Sequence, residues 1–181
     1  MATYVNNLRL KEIATGAESG TWGTSTNTNL ELIGEGLGFA TINIASDANV
    51  TETVADGSAD NARAMYIKVT STTLTATRTL TIAPNTIKRV HIIENASTGS
   101  QDITIKQGSG STVTIPNGKT KVVYLDGAGS GGAVVDAFNH LSTTDLSVED
   151  DLSLTSDSSI INMGAGNDVT FTHDGTTGLT I

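Results

Sequence analysis

From Phe39 to about Asp136, apolar residues recur at every second position in short runs, the pattern of strands with one buried face. In "FATINIA", Ile42 and Ile44 share one side, with Thr41 and Asn43 on the other. "AMYIKV" groups Met65, Ile67 and Val69. "TLTATRTLTIA" sets Leu74, Ala76, Leu80 and Ile82 against Thr75, Thr77, Thr79 and Thr81. "IKRVHII", "QDITIK", "STVTI" and "KTKVVYL" continue the series. Turn chemistry separates the runs: Ala83-Pro84-Asn85, "NASTGS", "QGSGS" and Pro116-Asn117-Gly118. "DGSADN", Asp56 to Asn61, reads as a hairpin loop. Short strands at this spacing predict a mainly β fold, an antiparallel β-sandwich or small barrel over residues 38–136.

The flanks follow other patterns. "YVNNLRLKEIAT" reads as a short strand or extended arm. In "TNLELIGEGLG", Thr28 and Glu31 have the spacing of a capping box, and Leu30, Ile33 and Leu37 fall on one helical face. Gly34 and Gly36 weaken that helix, so about two turns are expected. Residues 1–37 thus form an N-terminal segment, extended and then briefly helical. Beyond the Gly-rich link Asp126 to Gly132, a short helix is expected around Val134 to Leu141. The rest of residues 137–181 alternates apolar pairs with Ser, Thr and Asp, and "DLSVEDDLSLTSD" is nearly a miniature repeat. Such a segment buries little by itself, whereas several copies wound together bury more. The pattern reads as a linker and a strand-rich tail, and "GTTGLTI" reads as the middle of a longer protein.

Composition narrows the functional classes. Aromatic residues make up 4% of the chain, so the core must come from Ile, Val, Leu and Ala, and association would supply missing buried area. About one residue in six is Thr, which favours strands. A net charge of −9 argues against a nucleic-acid partner, which requires clustered Lys and Arg. The absence of cysteine excludes disulfides, thiolate metal sites and a Cys nucleophile. "MATYVNNLRLKEIATG" lacks the apolar core of a signal peptide, and no run has the length of a membrane span. Synthesis in a cytoplasm, with no membrane partner, is the expectation.

Candidate chemistry is sparse. His91 lies inside an apolar strand and reads as a sheet residue. His173, Asp174 and Asp168 have no metal-ligand spacing, and Asp56 to Asn61 lacks the bidentate Glu of a calcium loop. Glu149, Asp150 and Asp151 are consecutive, so in a strand they alternate between faces instead of converging on one sugar ring. "GAGSGG" has no following Lys and no βαβ context for a phosphate cradle. No serine stands in a nucleophile elbow. The expectation is no catalytic residues, no metal and no cofactor. Trp22 stands apart: the single tryptophan is flanked by Gly, Ser and Thr. A rigid indole buries large area at low entropic cost, and flanking glycines admit close backbone approach, so Trp22 reads as an interface anchor. Capping of the core is the competing reading.

"LRLKEIATGAESGTWGTSTNTNLELI" resembles the N-terminal segment of tail-fibre proteins of tailed bacteriophages, especially phages of marine bacteria. "TLTATRTLTIAPNTIKRVHIIENASTGSQDITIKQGSGSTVTIPNGKTKVVYLDGAG" is similar to the block that follows it in such proteins. Together they cover about residues 8–130, and the tail is more loosely like fibre-shaft segments. The resemblance implies a homotrimeric structural protein of the virion tail, assembled in the host cytoplasm. Its proximal part would join an adaptor, nozzle or baseplate protein for host attachment. The implied docking residues are Leu8, Leu10, Ile13, Trp22, Leu30 and Ile33. Host recognition, which such fibres place at a distal end, is not assigned to these residues. Two rival readings are the N-terminal part of a tailspike depolymerase, with catalysis beyond Ile181, and a carbohydrate-binding β-sandwich. The latter would need an aromatic platform, for which Tyr4, Tyr66 and Tyr124 join Trp22.

Overall fold

Most of the alternating runs form strands, but in "TLTATRTLTIA" the strand begins only at Arg78, and Met65 and Ala76, expected on buried faces, are exposed. The computed structural model describes residues 3–149, 152–163, 169–173 and 179–180. It divides into two units, Met1–Leu141 and Ser142–Ile181. The first unit contains β1 (Thr3–Val5), β2 (Leu10–Glu12), α1 (Trp22–Leu37), β3 (Phe39–Asn43), β4 (Val50–Thr53), β5 (Tyr66–Thr70) and β6 (Arg78–Ala83). β7 (Arg89–Asn95), β8 (Ile103–Lys106), β9 (Val113–Ile115), β10 (Thr120–Leu125) and β11 (Val134–Asp136) complete it.

The fold is mainly β, but its strands are not all antiparallel as expected. The chain passes back and forth between two open sheets, ordered β11-β10-β7-β5-β3 and β4-β6-β8-β9. β3, β5 and β7 run parallel in the first, and β4, β6 and β8 run parallel in the second. β9, β10 and β11 then turn antiparallel. Partners in the parallel ladders, such as Ile42 with Val69 and Ile67 with Ile93, are about 25–30 residues apart in sequence. A parallel pair needs a long crossover, and here each crossover contains a strand of the other sheet. Asp56–Asn61 is accordingly not a hairpin loop, because the strands it joins, β4 and β5, lie in different sheets.

Ladder columns carry the core. Ala40, Ile67 and Ile93 line up across the first sheet, and Val50, Leu80, Ile105 and Val113 across the second. Residues from both sheets belong to one buried cluster made entirely of Ile, Val, Leu and Ala, as the aromatic-poor composition requires. Asn95 is buried yet satisfied: its amide donates to the Ile115 and Gln101 carbonyls at 3.0 Å each, and its oxygen accepts from Ser97 Oγ at 2.7 Å. It ties β7 to β9 across the core.

Two other expectations are corrected. α1 spans sixteen residues, so Thr28 lies inside it and caps nothing; Thr21 is the N-cap, without a side-chain capping bond. The region expected to be helical from Val134 forms β11 and a turn, because Leu125 and Val134 pair across the ladder with both side chains buried. Residues 1–37 belong to the same unit as the β sheets. The second unit contains β12 (Ile160–Met163), β13 (Val169–His173) and β14 (Leu179–Thr180), which form an antiparallel three-stranded sheet.

Candidate functional site

α1 is rich in Thr, Asn and Gly, residues with modest intrinsic helix preference, so packing must stabilise it. Leu32 is its buried apolar contact, contributing about 1.5–3 kcal/mol by burial. Asn29 forms a two-way bond with β2: its Oδ1 accepts from the Lys11 amide at 3.0 Å and its Nδ2 donates to the Lys11 carbonyl at 2.9 Å. Lys11 Nζ donates to Ser25 Oγ at 3.1 Å and pairs with Glu18. Gly36 faces Leu8 so closely that an added Cβ would lie 2.6 Å from Leu8 Cδ2. Arg89 Nη2 donates to the Gly36 carbonyl at 3.1 Å.

Beneath this contact lies Arg63, fully buried. Its guanidinium donates to the Leu8 carbonyl, to the Ala55 and Ser58 carbonyls at 2.7 and 2.8 Å, and to Asp60 Oδ2 at 2.7 Å. Asp60 also accepts from the Ala55 and Arg63 amides. The Asp56–Asn61 loop wraps this buried arginine and clasps the N-terminal segment. Nothing in the periodicity singled out Arg63; the only signal was a charged residue in the otherwise small, apolar stretch "ARAM".

The six expected docking residues divide into two groups. Leu8, Leu10 and Ile13 are half-buried in and around the β1–β2 hairpin, and Leu8 is engaged by Gly36. Trp22, Leu30 and Ile33 are on α1 and exposed, at 62%, 60% and 37%. Trp22 opens the helix and does not cap the core. Leu37 and Phe39, not singled out in the sequence as docking residues, extend the exposed apolar surface at 69% and 62%. Phe39 stacks on Tyr66 with ring centroids 5.6 Å apart, and Tyr66 OH donates to Glu94 at 2.9 Å. Leu37, Phe39, Tyr66, Lys68 and Glu94 line a groove there of about 560 Å³. The bond to Glu94 raises the Tyr66 pKa, so the phenol stays protonated.

His91 is buried, with Nδ1 at 2.9 Å from the Ala64 carbonyl and Nε2 without a partner. Burial, followed by the charge of Arg89, pushes its pKa down to about 4. His140 is exposed beside Asn139. Asp150, Asp151, Asp168 and Asp174 lie outside the described residues, and His173 is described only as a strand position. Among the described residues no group of three or more His, Asp or Glu is arranged to hold a metal ion. No helix among them is long and apolar enough to cross a membrane. Comparison of the chain with known protein families, curated proteins and solved structures gives no match.

Proposed function

We propose that this chain is the proximal part of a tail fibre of a tailed bacteriophage, a structural virion protein that anchors the fibre to the tail for host attachment. In this reading it works as a homotrimer, assembles in the host cytoplasm and meets an adaptor, nozzle or baseplate protein. It catalyses nothing and needs no cofactor. One observation carries the reading beyond the sequence resemblance: the single tryptophan stands exposed on the first turn of a helix that the rest of the N-terminal segment fastens down. A large indole held in water on a fixed element suits a partner's pocket, since buried aromatic anchors dominate interface energetics. Antibody raised against the chain, applied to virions of the phage that encodes it, should label the tail end where fibres join, with a stoichiometry of three per fibre. Virions without label, or label on the capsid alone, would contradict the assignment.

A further inference from the structure

The outward face of α1 carries a second pattern. With about 100° per residue, Trp22, Thr26, Leu30, Ile33 and Leu37 fall within an arc of about 80°. From Thr26 the steps are four, three and four residues, the spacing of a coiled-coil seam. In that frame Leu30 and Leu37 occupy a positions, and Thr26 and Ile33 occupy d positions. The flanking e and g positions are Asn27, Asn29, Gly34 and Gly36, none of them charged. Gly34 has open space around it, so a neighbouring helix can approach there. The helix's two charges, Glu31 and Glu35, stand about 100° or more from the middle of this arc, on its polar side.

We infer that α1 lies parallel to the same helix of further copies of this chain, joined through Leu30, Ile33 and Leu37. Two features select a second copy as the occupant. The seam is complementary to itself in parallel register, each a or d residue meeting its counterpart on a neighbouring copy. The chain carries a charge of −9, so copies repel wherever charges meet, and this seam with its flanks is an uncharged strip. Leu at a with Ile at d favours assemblies of more than two strands. Trp22, on the first turn at the margin of the arc, is left to the tail contact. This inference deepens the structural-protein reading and rests on the chain acting as an assembly of copies.

The cysteine-free chain makes the test direct. In parallel register, identical d residues of neighbouring copies meet, so full-length Ile33→Cys should oxidise to a covalent dimer. Thr24→Cys, exposed on the opposite side of α1, should remain uncrosslinked. Leu30→Glu with Leu37→Glu should reduce the mass in light scattering to 18.6 kDa while circular dichroism of the β sheets is retained. A wild-type chain that is monomeric at micromolar concentration, or equal crosslinking of the two cysteine variants, would overturn the seam. Virion labelling is read independently: labelled fibre bases with no Ile33→Cys crosslink refute the seam alone, whereas crosslinked chain absent from virions refutes the fibre assignment alone.

Discussion

Removing Arg63 would leave the largely covered Asp60 without its cation and the Leu8, Ala55 and Ser58 carbonyls without their donor. Breaking such a buried pair from one side typically costs about 3–5 kcal/mol. Arg63→Met should lower stability by that amount in urea unfolding and speed amide exchange at Arg9 to Glu12, with smaller changes in β7. His91 supplies a pH-dependent counterpart. Its folded pKa, about 4, lies below the 6.5 of an unperturbed imidazole. Between these values the unfolded chain binds a proton that the folded chain refuses, so stability falls as pH drops through that window. The loss by pH 4 amounts to about 3 kcal/mol. Unfolding free energies at pH 6.5, 5.5 and 4.5 should decline stepwise in the wild type and stay nearly level in His91→Met. A level wild-type profile would refute a neutral, buried His91. Aspartates add to the decline only at lower pH: Asp47, bonded to Arg78 and Thr75, is held well below the usual carboxylate range.

Two glycines should respond oppositely to alanine. Gly34 sits inside α1 with open space around it, so Gly34→Ala should stabilise the helix by about 0.5–1 kcal/mol and raise the melting temperature. Gly127 has φ of +62°, and an added Cβ would lie 2.7 Å from the Thr86 carbonyl oxygen and 2.8 Å from that of Ile87. Gly127→Ala should therefore cost at least about 1–3 kcal/mol; thermal melting of both variants checks the pair. At this scale the sequence was informative about strands and less so about their partners. Alternation placed Ile42, Ile44, Ile67, Val69, Leu80 and Ile82 on buried faces, as found, whereas Met65 and Ala76, grouped with them, are exposed. Alternation does not encode strand direction, and the turn residues marked where the chain bends without saying which sheet it enters next. A signal did exist: "KVTST" and "ENAST" sit 26 residues apart, and the Thr98 amide donates to the Ser71 carbonyl at 2.8 Å between successive turns of the chain. The longer α1 escaped notice because Thr, Ser, Asn and Gly resemble loop residues, and tertiary bonds from Asn29 and Ser25 to β2 outweigh that preference.

In the whole molecule, a folded two-sheet unit carries an apolar helix face turned toward water. The aromatic-poor core was legible from composition because nothing else was available to fill it. The position of Trp22 was legible only as a choice between core cap and anchor, since flanking glycines suit both; in the structure it is 62% exposed. The Arg63 clasp was not legible, because it depends on carbonyls of Leu8, Ala55 and Ser58 brought together by the fold. The central claim, that Trp22 anchors the chain to the tail, is tested most directly by Trp22→Ala, measured for thermal melting and for co-sedimentation with fibreless tails. Losing a central aromatic anchor costs about 2–4 kcal/mol of binding, roughly thirty- to a thousand-fold in affinity. The expected result is an unchanged melting temperature with attachment lost. A large fall in melting temperature, or wild-type attachment by the variant, would contradict it.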